Sequence, residues 1–177
     1  NNQTSTKIKY GSTNDTYVIF ALAMSVDAYI PEIEGAVTAT TINGAPVAGA
    51  APYTALPGQE LGYKVEIKNK GTEILNNSKI VIPVPYNATY VANSVVGNIN
   101  FSPAPTPNNL TFDPTLGATG SIVWNIGSLP LPTNPNTVLA ELTFKFKVTE
   151  NCTLLKNANC NNIISVNGLM SGTGNTS

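Results

Sequence analysis

Cys152 and Cys160 are the only thiols in a chain of 177 residues that holds no histidine and no arginine. Seven residues separate them in "NCTLLKNANC". A structural zinc site takes four Cys or His ligands, which this pair cannot supply. Redox pairs prefer Cys-x-x-Cys beside a βαβ unit, a tighter spacing than this one. A disulfide across a short loop is the leading expectation, with two free buried thiols as the alternative. Closing about nine residues would stabilise by roughly 2.5 kcal/mol in the chain-entropy picture and pin the turn into the last strand. A bond of that kind persists only in an oxidising compartment, so it implies export.

Other reactive chemistry is thinly represented. Asp27, Glu32 and Glu34, in "VDAYIPEIEG", form the sole acidic cluster. Their hard oxygens could supply half of a calcium site. The ordinary reading is three solvated acids beside a proline turn, with no metal and no cofactor. Glycoside hydrolysis needs two carboxylates, one held as an acid in an apolar pocket, and nothing here marks such a residue. The usual serine and cysteine triads need a histidine base. No enzymatic activity is expected. A Lys–Asn isopeptide cross-link needs a buried lysine beside a buried acid. Lys64, Lys68, Lys145 and Lys147 all fall on the polar side of their segments, and only Lys79, in "SKIVIP", is unassigned.

Aromatic rings can act as stacking platforms for sugars. Trp124 shares a face with Ile122 and Ile126 and reads as core. Tyr86 and Tyr90, around "PYNATY", are the candidates for surface contact. Asn87 and Asn109 head Asn-x-Thr sequons, as chance allows in a chain so rich in Asn and Thr.

The surface that surrounds these residues is short of charge. Charged residues make up 11 % of the chain and the net charge is −1, so Asn and Thr must supply much of the polarity. Nucleic acid is excluded as a partner, because no basic patch exists to displace counterions and no arginine fork to read guanine. The most apolar run, "YVIFALAMSVDAYI", reaches Asp27 after about ten residues, short of the ~20 that a membrane helix requires. It lacks the flanks of a signal peptide. No membrane insertion is expected.

The elements that position everything are strands. In "ELGYKVEIKNKG" Leu61, Tyr63, Val65 and Ile67 share one face, opposite Lys64, Glu66 and Lys68. In "LAELTFKFKVTE" Leu142, Phe144, Phe146 and Val148 do the same. A period of two over this length predicts strands with one face in a core. Tyr63, Val65, Ile67, Trp124, Phe144 and Phe146 are the expected core. The segment 78–86 begins as a strand, and Pro83 and Pro85 confine its end to an edge or a bend. Weaker strands are expected at 17–26, 35–42, 89–96, 110–113 and 162–167. Breakers such as "LPGQ", "NKGTE", "SPAPTPNN" and "LPLPTNPNT" separate them. Strands and turns without helical periodicity predict an all-β chain, two antiparallel sheets packed as a sandwich.

Several phrases carry a family resemblance. "ALPGQELGYKVEIKNKGTE" (55–73) resembles the opening of the conserved repeat domain of bacterial surface proteins. "IVIPVPYNATYVANSV" (80–95) and "GSIVWNIGSLPLPTNPNTVLAELTFKFKV" (120–148) resemble the strands that follow in that family. "NCTLLKNANCNNIISVNGLMSGTG" resembles variants in large secreted and gliding adhesins of the Bacteroidetes. The resemblance covers roughly 55–170 and implies an immunoglobulin-like sandwich, extracellular and on the cell surface, with neighbouring repeats of the same protein as partners. It carries no shared catalytic residues. Around that domain, 1–16 is expected to be a flexible arm and 171–177 a linker. Residues 17–54 have no counterpart in the short repeat and either add strands to the sandwich or form a small separate element. The expected function is a non-catalytic stalk or display repeat of an adhesin, touching polysaccharide or an abiotic surface. A carbohydrate-binding module of a secreted protein is the alternative.

Overall fold

The computed structural model describes residues 7–11, 13–14, 21, 30–104, 109–151, 153–154 and 163–175. Ten strands lie among them: β1 (Ile33–Ile42), β2 (Ala45–Pro46), β3 (Glu60–Asn69), β4 (Leu75–Pro83), β5 (Ala88–Tyr90), β6 (Val96–Ile99), β7 (Asn109–Asp113), β8 (Ser121–Leu129), β9 (Ala140–Val148) and β10 (Leu169–Thr173). They form two antiparallel sheets. The larger, of six strands, runs β2-β1-β3-β9-β5, with β6 also paired to β9; the smaller runs β10-β4-β8-β7. The chain is an all-β antiparallel sandwich, as the alternating segments predicted.

Alternation decides what goes inside. The apolar sets of β3 and β9 are buried, as are Ile80 and Ile82 of β4 and Ile122, Trp124 and Ile126 of β8. Phe144 lies between Tyr63 and Phe146, with ring centroids 5.5 and 4.9 Å away. The six residues expected in the core are all buried. The opposite face of the larger sheet carries the charge. There Lys64 bridges Glu66 and Glu141, Lys68 meets Glu34, Lys145 meets Glu60 and Lys147 meets Glu150. Glu66 and Glu141 are directly opposed across β3 and β9. Lys64 between them, 2.6 and 3.6 Å from their oxygens, offsets that repulsion.

Three segments differ from expectation. The strand predicted at 89–96 splits into β5 and β6, because Asn93 takes a left-handed conformation (φ 58°) and Ser94 N donates to Val91 O, which closes a turn. Residues 163–167 are not a strand. The Ile163 carbonyl accepts from the Asn87 side chain rather than from a ladder, while Ile164 and Val166 pack on the core. The linker expected from 171 instead continues β10, where Ser171 and Thr173 pair with Lys79 and Asn76. β4 is an interior strand whose end lies at an edge, as Pro83 and Pro85 required. Its Pro83 is tolerated because β10 reaches only to Val81, leaving no ladder partner that needs the missing N–H. Within 17–54, β1 and β2 belong to the larger sheet, and residues 17–20 and 22–29 lie outside the described set.

The register defines two poles. Ile33 faces Asn69, and Ile67 faces Ala140, at one end of the larger sheet. Ile42 faces Leu61, and Leu61 faces Phe146, at the other.

Candidate functional site

Most residues singled out for chemistry are not brought together. Cys152, Cys160 and Asp27 lie outside the described residues. Glu34 is engaged by Lys68 and Lys70, while Glu32 contributes its backbone carbonyl to the N–H groups of Lys70 and Gly71. Among the described residues no three metal-ligating side chains cluster. Lys79 points out from the smaller sheet, in register with Asn125 and Ser171. Tyr86 is exposed (65 %), but Tyr90 turns inward and stacks on Phe112 at 4.2 Å and 17°. The two tyrosines therefore present no shared platform. Asn87 between them is buried, and its amide donates to the Ile163 carbonyl.

What the fold does assemble is a cleft of about 710 Å³ at the pole where β1 ends and β3 begins. Its floor includes Ala39, Ile42, Leu61 and Tyr63 of the larger sheet; Tyr53, Pro57 and Ile164 are among its walls. The wall segment is fixed by backbone bonds. Gly58 N donates to Val148 O (3.1 Å), Val148 N to Gln59 O (2.9 Å), and Leu56 N to the Gln59 side-chain oxygen (2.8 Å). The Tyr53 hydroxyl donates to Gly49 O at 3.2 Å, which orients its ring. Among the described residues none that lines it is charged.

Tyr63 is the unusual member. It is only 9 % exposed and its ring is held by Phe144 and Phe146. Among the described residues its hydroxyl has no hydrogen-bond partner. Burial pushes the phenol above its ordinary pKa of 10.0, so it stays a neutral donor. The alternation that assigned Tyr63 to the core was right about the ring and silent about the hydroxyl. A buried tyrosine usually finds a partner for its O–H, and that was the one signal in the sequence. Nothing in the sequence marked Tyr53, and Ile163 and Ile164 read only as part of a weak strand; the three come together only through long-range packing.

The opposite pole is built to hold the chain. Thr72 N donates to Ile30 O (3.0 Å), and Ile30 N donates to the Thr72 hydroxyl (2.8 Å). The adjacent Glu73, 6 % exposed, accepts from Asn175 N at 2.9 Å. Asn69, fully buried, braces this turn: its amide donates to Glu73 O (2.8 Å) and Pro130 O (3.2 Å), and its oxygen accepts from Gly71 N (3.0 Å). Two consecutive residues thus grip the chain where it enters β1 and where it leaves β10.

Among the described residues no helix is long and apolar enough to cross a membrane. No protein-family model matches the chain, and no curated protein matches it. The resemblance to the conserved surface repeat therefore rests on its phrases. Among solved structures, a "putative membrane anchored protein" from Corynebacterium diphtheriae is similar over 66 % of this chain and 28 % of that one, with 15 % identity and a TM-score of 0.40.

Proposed function

We propose that this chain is a non-catalytic display module of an exported bacterial cell-surface protein, of the adhesin kind. Neighbouring segments of the same protein hold it, and polysaccharide or an abiotic surface is what it meets. The phrases shared with the surface repeat support that setting. The observation that carries display over stalk is the grip of Thr72 on Ile30 beside the grip of Glu73 on Asn175. An in-line stalk receives the chain at one pole and releases it at the other, so tension shears its ladders. Here tension between Ile30 and Asn175 peels β1 and β10 from the same pole, one ladder bond at a time. Such a module hangs from its connections and presents the far pole.

The test is mechanical. Single molecules are pulled with handles at positions 30 and 175, then at 43 and 175. Asn43 lies in the turn between β1 and β2, at the far pole. The 30/175 pair is expected to unfold at a force several-fold lower. Equal forces for the two geometries would refute the display reading.

A further inference from the structure

We propose that the cleft at the far pole binds an uncharged amphiphilic small molecule, with an apolar body and an acceptor oxygen that takes the Tyr63 hydroxyl. The site stands on the cleft itself and does not depend on the display reading.

Its volume, about 710 Å³, falls in the range of roughly 300–1,000 Å³ typical of small-molecule sites. Its composition has the same character. Ile42, Leu61, Val148, Ile163, Ile164 and two prolines supply apolar walls, and a few hydroxyl and amide groups interrupt them. Among the described lining residues a charged ligand would meet no counter-charge to offset the loss of its water, a cost that a neutral one avoids. The ion pairs among the described residues lie on the outer face of the larger sheet, where they serve one another.

Of the polar side chains that line the cleft, Tyr63 is held the most firmly. Phe144 and Phe146 fix its ring, the residue is nine-tenths buried, and its O–H has no partner among the described residues. A phenol so placed is a pre-oriented donor, so the complementary group is a carbonyl, ether or hydroxyl oxygen. An extended peptide adding to a sheet edge is a poorer fit. The end of β1 beside the cleft already pairs with β2, through Thr41–Pro46 and Ile42–Ala45. A glycan chain would ask for polar partners along its whole length, whereas most of these lining residues are apolar.

Nile red, a neutral apolar dye with a carbonyl oxygen, is a suitable probe on the full 177-residue chain. The expected result is saturable uptake at one site with a blue-shifted emission. Tyr63→Phe keeps the ring and removes the donor, and is expected to weaken binding roughly five- to tenfold, the span of one neutral hydrogen bond. Thr54→Trp, on an exposed stretch of the wall, is expected to fill the cleft and abolish uptake with an unchanged unfolding midpoint. Uptake that is non-saturable, or indifferent to both variants, overturns the proposal. So does a wild-type chain that takes up no dye, which would mean that another part of the chain covers the cleft. A concentration-dependent dimer that Thr54→Trp dissociates also overturns it, and assigns the face to a second copy. None of these results bears on the pulling experiment, so the two readings fail separately.

Discussion

Asn69→Ala is expected to be among the most damaging polar substitutions in this fold. The side chain is fully buried and makes three hydrogen bonds, to Glu73 O, Pro130 O and Gly71 N. It joins the end of β3 in the larger sheet to the loop after β8 in the smaller one. Alanine would leave two carbonyls and one N–H in the interior without their partner. At about 0.5–1.5 kcal/mol net for each bond, and more where desolvation is not recovered, the loss comes to about 3 kcal/mol. For a chain of this size that corresponds to a melting temperature lower by roughly 6–12 °C. Urea unfolding, with the m-value required to stay constant, is the assay. Asn69→Asp supplies the internal check. It keeps the acceptor toward Gly71 N but turns a carboxylate oxygen toward two carbonyls, so it should cost more than alanine does. A loss below about 1 kcal/mol for alanine, or an aspartate variant more stable than the alanine one, would refute the brace.

Three further outcomes follow from the same geometry. A Cβ on Gly71 would lie 2.2 Å from Ile30 O and 2.7 Å from Glu32 N, both backbone atoms. Gly71→Ala should therefore cost about 1–3 kcal/mol by overpacking and raise amide exchange at Ile30 and Thr72. The hydrogen bond from Lys64 holds the Glu66 carboxyl below its ordinary value of 4.5. Glu66 thus contributes stability above that value and loses it as the pH falls through the lowered one. In Lys64→Met, a carboxyl NMR titration should show the Glu66 midpoint move back up; an unmoved midpoint would show that the pair is not formed in solution. Finally, the intact mass of denatured protein from its native host should rise by about two daltons on reduction if Cys152 and Cys160 are joined. Two freely alkylatable thiols would remove that ground for export.

The parts of this fold that were legible in the sequence are those fixed by short-range alternation. β3, β8 and β9 declare themselves because every second side chain is apolar, and burial follows without knowledge of the partner strand. β10 is a different case. "LMSGT" has one large inward residue, Met170, which packs over Gly35 of β1, and its ladder to β4 is specified by a strand far away in sequence. The 163–167 segment misled for the complementary reason. Its "IISV" has strand composition, yet the Asn87 amide takes the Ile163 carbonyl and Ile164 and Val166 pack on the core instead of joining a ladder. The cleft belongs to the same class. Tyr63, Tyr53 and Ile163 are separated in the chain and meet only once the sheets are packed, so no local spacing could reveal them. Asn69 read as part of the turn "NKGTE"; it closes β3 just before that turn, and its two long bonds were invisible.

Which pole holds the chain and which is presented comes down to parity. Each full antiparallel strand carries the backbone from one pole to the other. β1 goes out, β3 returns, β4 goes out, β5 and β6 together return, β7 goes out, β8 returns, β9 goes out and β10 returns. Between Ile30 and Asn175 this even number of crossings brings the chain back to the pole it came from, which lets adjacent residues, Thr72 and Glu73, hold it at both of those points. One strand more or fewer would put the exit beside the cleft and turn a hanging module into a link in series. Local alternation locates strands well but counts them poorly, since the weakest strand weighs as much in the parity as the strongest. β10 is that weak strand here. Its five residues, Leu169 to Thr173, carry the chain to Asn175 on the pole opposite the cleft.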